Sequence, residues 1–175
     1  MTPQTGEPTP PLKRHPTLQP LSREHMNGLI HARNLQRAAD EGADARLQAS
    51  KSFLEAWETE ILHHFDDEER LLIPLTTDPV LRDRLLKEHH DLRRMAERCR
   101  HETQRGHPTA EHLRLLGRSL HDHIRWEERD FFEHVQQQAA NRLDAMTDES
   151  KEIEALRPNS RTKQALNADR PERKL

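Results

Sequence analysis

Two stretches of the chain, His64-Phe65-Asp66-Asp67-Glu68-Glu69-Arg70 and His123-Ile124-Arg125-Trp126-Glu127-Glu128-Arg129, share the pattern His-apolar-x-x-Glu-Glu-Arg. Each is preceded by a Glu-His pair, Glu24-His25 before the first and Glu88-His89 before the second. The chain therefore reads as an internal duplication in which each half offers one histidine and then His-x-x-x-Glu. On a helix, positions i and i+4 lie one turn apart on one face, so an imidazole and a carboxylate at that spacing can reach a common cation. Two such halves packed together would present His25, His64, Glu68, His89, His123 and Glu127 to one dinuclear site. Imidazole suits iron, copper, nickel and zinc, whereas two carboxylates able to bridge favour iron or manganese. The ligand set leaves a pair of iron ions, a pair of manganese ions or a mixed iron and manganese pair open, with zinc as a further alternative. Glu68 and Glu127 are the expected bridges, and the four histidines the terminal ligands, two per metal.

Spacing alone is weak support. Random placement of the chain's histidines and glutamates gives roughly 1.4 His-x-x-x-Glu pairs. Three occur, and the third, His107 to Glu111, runs through Pro108, which pushes His107 out of helical geometry. The weight rests instead on the repeated Glu-Glu-Arg extension, the matching upstream Glu-His, and the apolar stripes on which all four elements fall. Leaving a buried polar group unpartnered costs on the order of 2 to 7 kcal/mol, and an ionised one more. Six such groups at one level of a fold demand a cation.

Four amphipathic helices must carry them. The first is expected from Ser22, as its cap, to about Asp40, with Leu21, His25, Gly28, Leu29, Ala32, Leu35 and Ala39 inward. The second runs from about Asp44 to Ile73, stopped by Pro74, with Phe53, Trp57, Glu60, Ile61, His64, Glu68, Leu71 and Leu72 inward. Asp78-Pro79 opens the third, which ends near Arg105-Gly106 and buries Leu81, Leu85, His89, Leu92, Ala96 and Cys99. The fourth opens near Thr109 and continues to about Ala140, with Leu113, Leu116, Leu120, His123, Ile124, Glu127, Phe131 and Val135 inward. Joined by short connections, they predict an all-α, up-down-up-down four-helix bundle over residues 20–140. A proline-rich, disordered leader covers 1–19, and a charged tail with a short helix from Asp148 to Leu156 covers 141–175.

Composition narrows the function classes. Hydrophobic residues make up 32% and charged residues 34%, which suits helices with charged outer faces. With 28 basic and 31 acidic residues well mixed, nothing points to nucleic acid. The single cysteine, Cys99, excludes an intrachain disulfide and reads as a small core residue. No apolar run approaches a membrane span, and no secretory signal is read at the N-terminus, so the expectation is a cytoplasmic protein without a membrane partner.

The ordered set His25, His64/Glu68, His89, His123/Glu127 resembles the hemerythrin-like, or HHE cation-binding, family over roughly residues 20–140, Pro74 included. The resemblance implies a four-helix bundle with a non-haem di-iron centre, an oxo or hydroxo bridge, and reactivity toward O2, H2O2 or NO. Oxygen-carrying hemerythrins place a further histidine one turn along the third helix, but here Leu85 and Arg93 flank His89 at that spacing. The chain is therefore expected to bind, sense or reduce a small oxidant or gas rather than simply carry oxygen. An oxidoreductase acting on peroxide or nitric oxide is one form of that expectation. Iron storage, delivery or iron-centre repair is an alternative, and a metal-stabilised interaction module is another.

Two further residues bear on the site. Glu60, one turn before His64, is a candidate additional ligand, and Arg93, one turn after His89, is expected to snorkel outward or to hydrogen-bond near the centre. His63, His90 and His121 should point away, and His112 should be solvated or lie just outside the ligands. Glu24, Glu69, Glu88 and Glu128 read as surface charges, one or two of which could orient an imidazole. Trp57, Trp126, Phe65, Phe131 and Phe132 read as core. The chain contains no tyrosine, which excludes a tyrosinate ligand or radical.

Overall fold

The computed structural model describes residues 13–156, all of whose regular elements are helical. The expectations for residues 1–12 and for the tail from 157 onward lie outside the described residues. Four antiparallel limbs form the bundle. The first is α1 (Gln19–Ala39), and the second joins α2 (Ala43–Ala56) through a π-helical turn, Trp57–Ile61, to α3 (Leu62–Leu72). The third is α4 (Pro79–Gln104). The fourth joins α5 (Ala110–Trp126) through a second π-helical turn, Glu127–Phe131, to α6 (Phe132–Gln138). Two short helices follow, α7 (Ala140–Asp144) and α8 (Thr147–Leu156), the latter where a short helix was expected. No described helix is long and apolar enough to cross a membrane.

The limb boundaries follow local chemistry. Asp78 caps α4 by accepting from the Val80 and Leu81 amides, with Pro79 at the first position, where its missing N–H costs nothing. Thr109 caps α5 by accepting from the His112 amide. Gly106 ends the third limb with φ +76°, a left-handed turn open to glycine without strain. Ser22 is not a cap: α1 starts three residues earlier, at Gln19, because Pro20 fits a first turn and Leu18 and Leu21 are both buried beneath it. Residues 13–18 also pack on the bundle, where Thr17 donates to the Leu143 carbonyl and His15 meets Asp144.

Apolar packing divides into two clusters. One holds Ala32, Leu35, Phe53, Leu92, Leu116 and Leu120 among others, the second Leu21, Leu72, Leu85, Phe131, Phe132 and Val135 among others. Along every limb the expected ligand positions fall between the two clusters. A polar layer is thereby sealed above and below by hydrocarbon.

Candidate metal centre

All six expected ligand residues are buried: Glu68, His89 and Glu127 at 0% exposure, His123 at 2%, His25 at 3% and His64 at 4%. Their side chains converge in two groups able to hold a metal ion, one of His25, His64, Glu68 and Glu127, the other of His89, His123 and Glu127. Glu68 Oε1 lies 2.9 Å from His64 Nε2 and 3.4 Å from His25 Nε2, while its Oε2 lies 3.4 Å from His89 Nε2. Glu127 is arranged the same way, with Oε2 3.2 Å from His25 Nε2 and Oε1 3.3 Å from His123 Nε2 and 3.6 Å from His89 Nε2. Each carboxylate thus turns one oxygen toward each histidine pair.

The histidines are held from behind by four carboxylates. Nδ1 of His64 meets Glu24 at 2.7 Å, of His89 Glu69 at 2.8 Å, of His123 Glu88 at 2.8 Å, and of His25 Glu128 at 2.6 Å. The pattern is cyclic: each limb contributes a histidine and, one residue away from a site residue, the glutamate that orients the next limb's histidine. The surface-charge reading of Glu24, Glu69, Glu88 and Glu128 is therefore corrected. All four face inward because each precedes or follows a site residue and sits at the seam between neighbouring limbs. The repeated Glu-His and Glu-Glu pairs mark these four positions in the sequence but not which histidine each one supports.

With every Nδ1 committed, all four Nε2 atoms and all four oxygens of Glu68 and Glu127 are buried without a hydrogen-bond partner. Eight orphaned atoms at one point carry a cost that a cation would relieve. A donor set of imidazole nitrogens and bridging carboxylates fits a pair of divalent or trivalent ions. In the absence of a cation, protons take that place. Burial lowers the His64 pKa, but Glu68 and Glu24 outweigh it and raise the value to about 9. Burial likewise opposes charge on His89, yet Glu127, Glu68 and Glu69 raise it to about 10. Burial and mutual repulsion push the Glu68 carboxyl upward, and His64 and His25 more than reverse this, leaving it well below the usual carboxylate range.

An outer layer of arginine completes the arrangement. Arg84 binds Glu88 at 2.7 Å, Arg14 binds Glu128 at 2.8 Å, and Arg93 binds Glu69 at 2.8 Å and Asp66 at 2.9 Å. Arg93 therefore neither snorkels free nor touches the converging donors, because the carboxylate of Glu69 captures it first. Glu60 is 2% exposed, and its Oε2 accepts from Asn27 Nδ2 at 2.8 Å. It falls outside both donor groups and lines a small cavity with His25, Gly28, Ile61, His64 and Ile124. Phe65 stacks on His89 with centroids 3.9 Å apart, and Phe132 on His25 at 5.2 Å. Trp57, Trp126 and Phe131 are buried as expected, as is Cys99.

His63, His90 and His121 are exposed. His112 corrects its expected solvation: it is 2% exposed and pairs through Nε2 with the Met95 carbonyl at 2.8 Å, a link between α5 and α4.

Comparison with curated proteins and with solved structures finds no match. The family model of the hemerythrin HHE cation-binding domain matches residues 18–135, a span that holds all six converging residues and their four supporting glutamates. The chain belongs to the hemerythrin HHE cation-binding domain family.

Proposed function

We propose that the chain holds two iron ions, joined by an oxo or hydroxo bridge, and that it binds, senses or reduces a small oxidant or gas: dioxygen, peroxide or nitric oxide. What supports this most is the division of labour within each imidazole, with Nδ1 tied to a carboxylate and Nε2 left for a cation beside orphaned Glu68 and Glu127 oxygens. His25 and His64 would hold one ion, His89 and His123 the other, and Glu68 and Glu127 would span both. Iron there supplies a change of oxidation state and coordination positions open to a small ligand.

The chain's own residues set the conditions. Glu24, Glu69, Glu88 and Glu128 fix ring orientation and make Nε2 the donor atom. Phe65 and Phe132 cover two of the rings and keep bulk water away. The cavity beside His25 and His64 leaves about 10 Å³ in which the centre of a water-sized molecule can sit, room for one very small molecule and nothing larger. Asn27 fixes the Glu60 carboxylate against the wall of that cavity.

The test exposes the iron-loaded chain separately to dioxygen, hydrogen peroxide and nitric oxide while the electronic spectrum is recorded. A saturable change with at least one of them, slowed in Gly28→Ala, is expected. At that position an added Cβ would stand 2.7 Å from Ile124 Cδ1 and narrow the cavity. A spectrum indifferent to all three would overturn the reading.

A further inference from the structure

Several arginines of the outer surface meet a carboxylate, as Arg84, Arg93, Arg98 and Arg114 do, and others, such as Arg94, Arg105 and Arg118, stand singly without one among the described residues. Arg33, Arg125 and Arg129 also have no carboxylate partner among the described residues, but all three are exposed along one groove between α1 and the fourth limb. The groove has a volume of about 660 Å³. Arg125 and Arg129 stand four residues apart on one helical face, an arrangement of like charges that destabilises a helix. Asp122, the acid that lines this part of the groove, is engaged by His121 at 2.9 Å.

A second observation lies at the inner end. The groove continues past Leu29, Arg125 and Arg129 into a recess lined by Arg14, His25 and Glu128, whose carboxylate is already held by Arg14 at 2.8 Å and His25 at 2.6 Å. The Arg14 side chain is only 9% exposed, and its Nη2 is spent on the Glu128 carbonyl and carboxylate. Its Nη1 is buried with no partner. A buried guanidinium edge left unsatisfied is costly, and an oxyanion is the group whose geometry matches it.

We propose that this groove is a binding site for a small soluble anion bearing a phosphate or carboxylate group, held by Arg33, Arg125 and Arg129 with the unpaired edge of Arg14 at its inner end. The planar guanidinium fork recognises both groups through paired hydrogen bonds, and the volume is that of a small-molecule site. The three arginines lie outside the cluster of Glu68 and Glu127, and only the inner recess touches it, through His25 and Glu128, so binding should not depend on which metal that cluster holds.

Isothermal titration of the full chain with inorganic phosphate and with succinate, at physiological ionic strength, tests it in metal-loaded and metal-stripped protein. The expected result is saturable binding of at least one anion in both forms, weakened about tenfold or more in the Arg125→Gln/Arg129→Gln double variant and unchanged in Arg94→Gln. Arg33→Gln, a single exposed change, should weaken binding without altering the melting curve. Binding that disappears with the metal would place the anion on the metal centre and overturn the proposal. So would equal weakening by Arg94→Gln, no binding at all, or binding only to vesicles of anionic lipid.

Discussion

At the scale of the residue, the centre is built from paired roles, and each role predicts a different loss. Glu68→Ala or Glu127→Ala removes an oxygen from both histidine pairs and should abolish metal uptake, with a fall in melting temperature that added metal does not restore. Glu69→Ala leaves every donor atom in place but frees the His89 ring, so metal affinity should fall about 10- to 100-fold. His63→Ala and His90→Ala, both on the exposed face, should leave metal content unchanged. Elemental analysis of the five variants checks the ranking. The six inward residues were legible from sequence because His-x-x-x-Glu and its repeat follow helical geometry. Their partners were not, since Glu24 supports His64 and Glu88 supports His123, each across a seam between limbs that no local spacing encodes.

At the scale of the element, close approach and helix winding position the site. Gly117 faces α1 so tightly that an added Cβ would stand 2.6 Å from the Ala32 carbonyl and 3.2 Å from the Gln36 amide. Backbone cannot yield as a side chain end can, so Gly117→Ala should destabilise the bundle by about 1–3 kcal/mol in chemical denaturation and loosen metal binding in parallel. Four limbs, the cap at Asp78, the start near Thr109 and the stop near Pro74 followed from periodicity and turn chemistry. The π-helical turns at Trp57–Ile61 and Glu127–Phe131 did not. An extra residue in one turn leaves the apolar stripe almost unchanged in sequence, yet it resets the facing of everything beyond it, and such turns often occur at functional sites. The first of them carries Glu60, and the second begins at Glu127 itself. The start of α1 was misplaced for a related reason: Ser22 has cap chemistry, but burial of Leu18 and Leu21 extends the helix past it.

At the scale of the whole molecule, the bundle is two apolar clusters separated by a charged layer, and its stability should depend on what fills that layer. In the metal-free chain His64 holds its proton to about pH 9 and His89 to about 10, against 6.5 for an unperturbed histidine. Because those values are raised, the stabilisation from pairing with Glu68 and Glu127 is complete below pH 6.5 and is lost as pH climbs through 9 to 10. The melting temperature of the metal-free chain should therefore fall across that range, while the metal-loaded chain, whose imidazoles are neutral ligands, should not show the same loss. For the same reason metal uptake at neutral pH should release protons, measurable as a dependence of binding enthalpy on the ionisation heat of the buffer. Uptake without proton release would contradict the convergence of protonated rings on two shared carboxylates.

If the eight orphaned donor atoms hold two ions, the number of metal ions per chain will show it. Elemental analysis of the chain produced with adequate iron should give close to two irons per chain, with both lost in Glu127→Ala, whose oxygens face both histidine pairs. One metal ion per chain, or two that survive that substitution, would contradict the account.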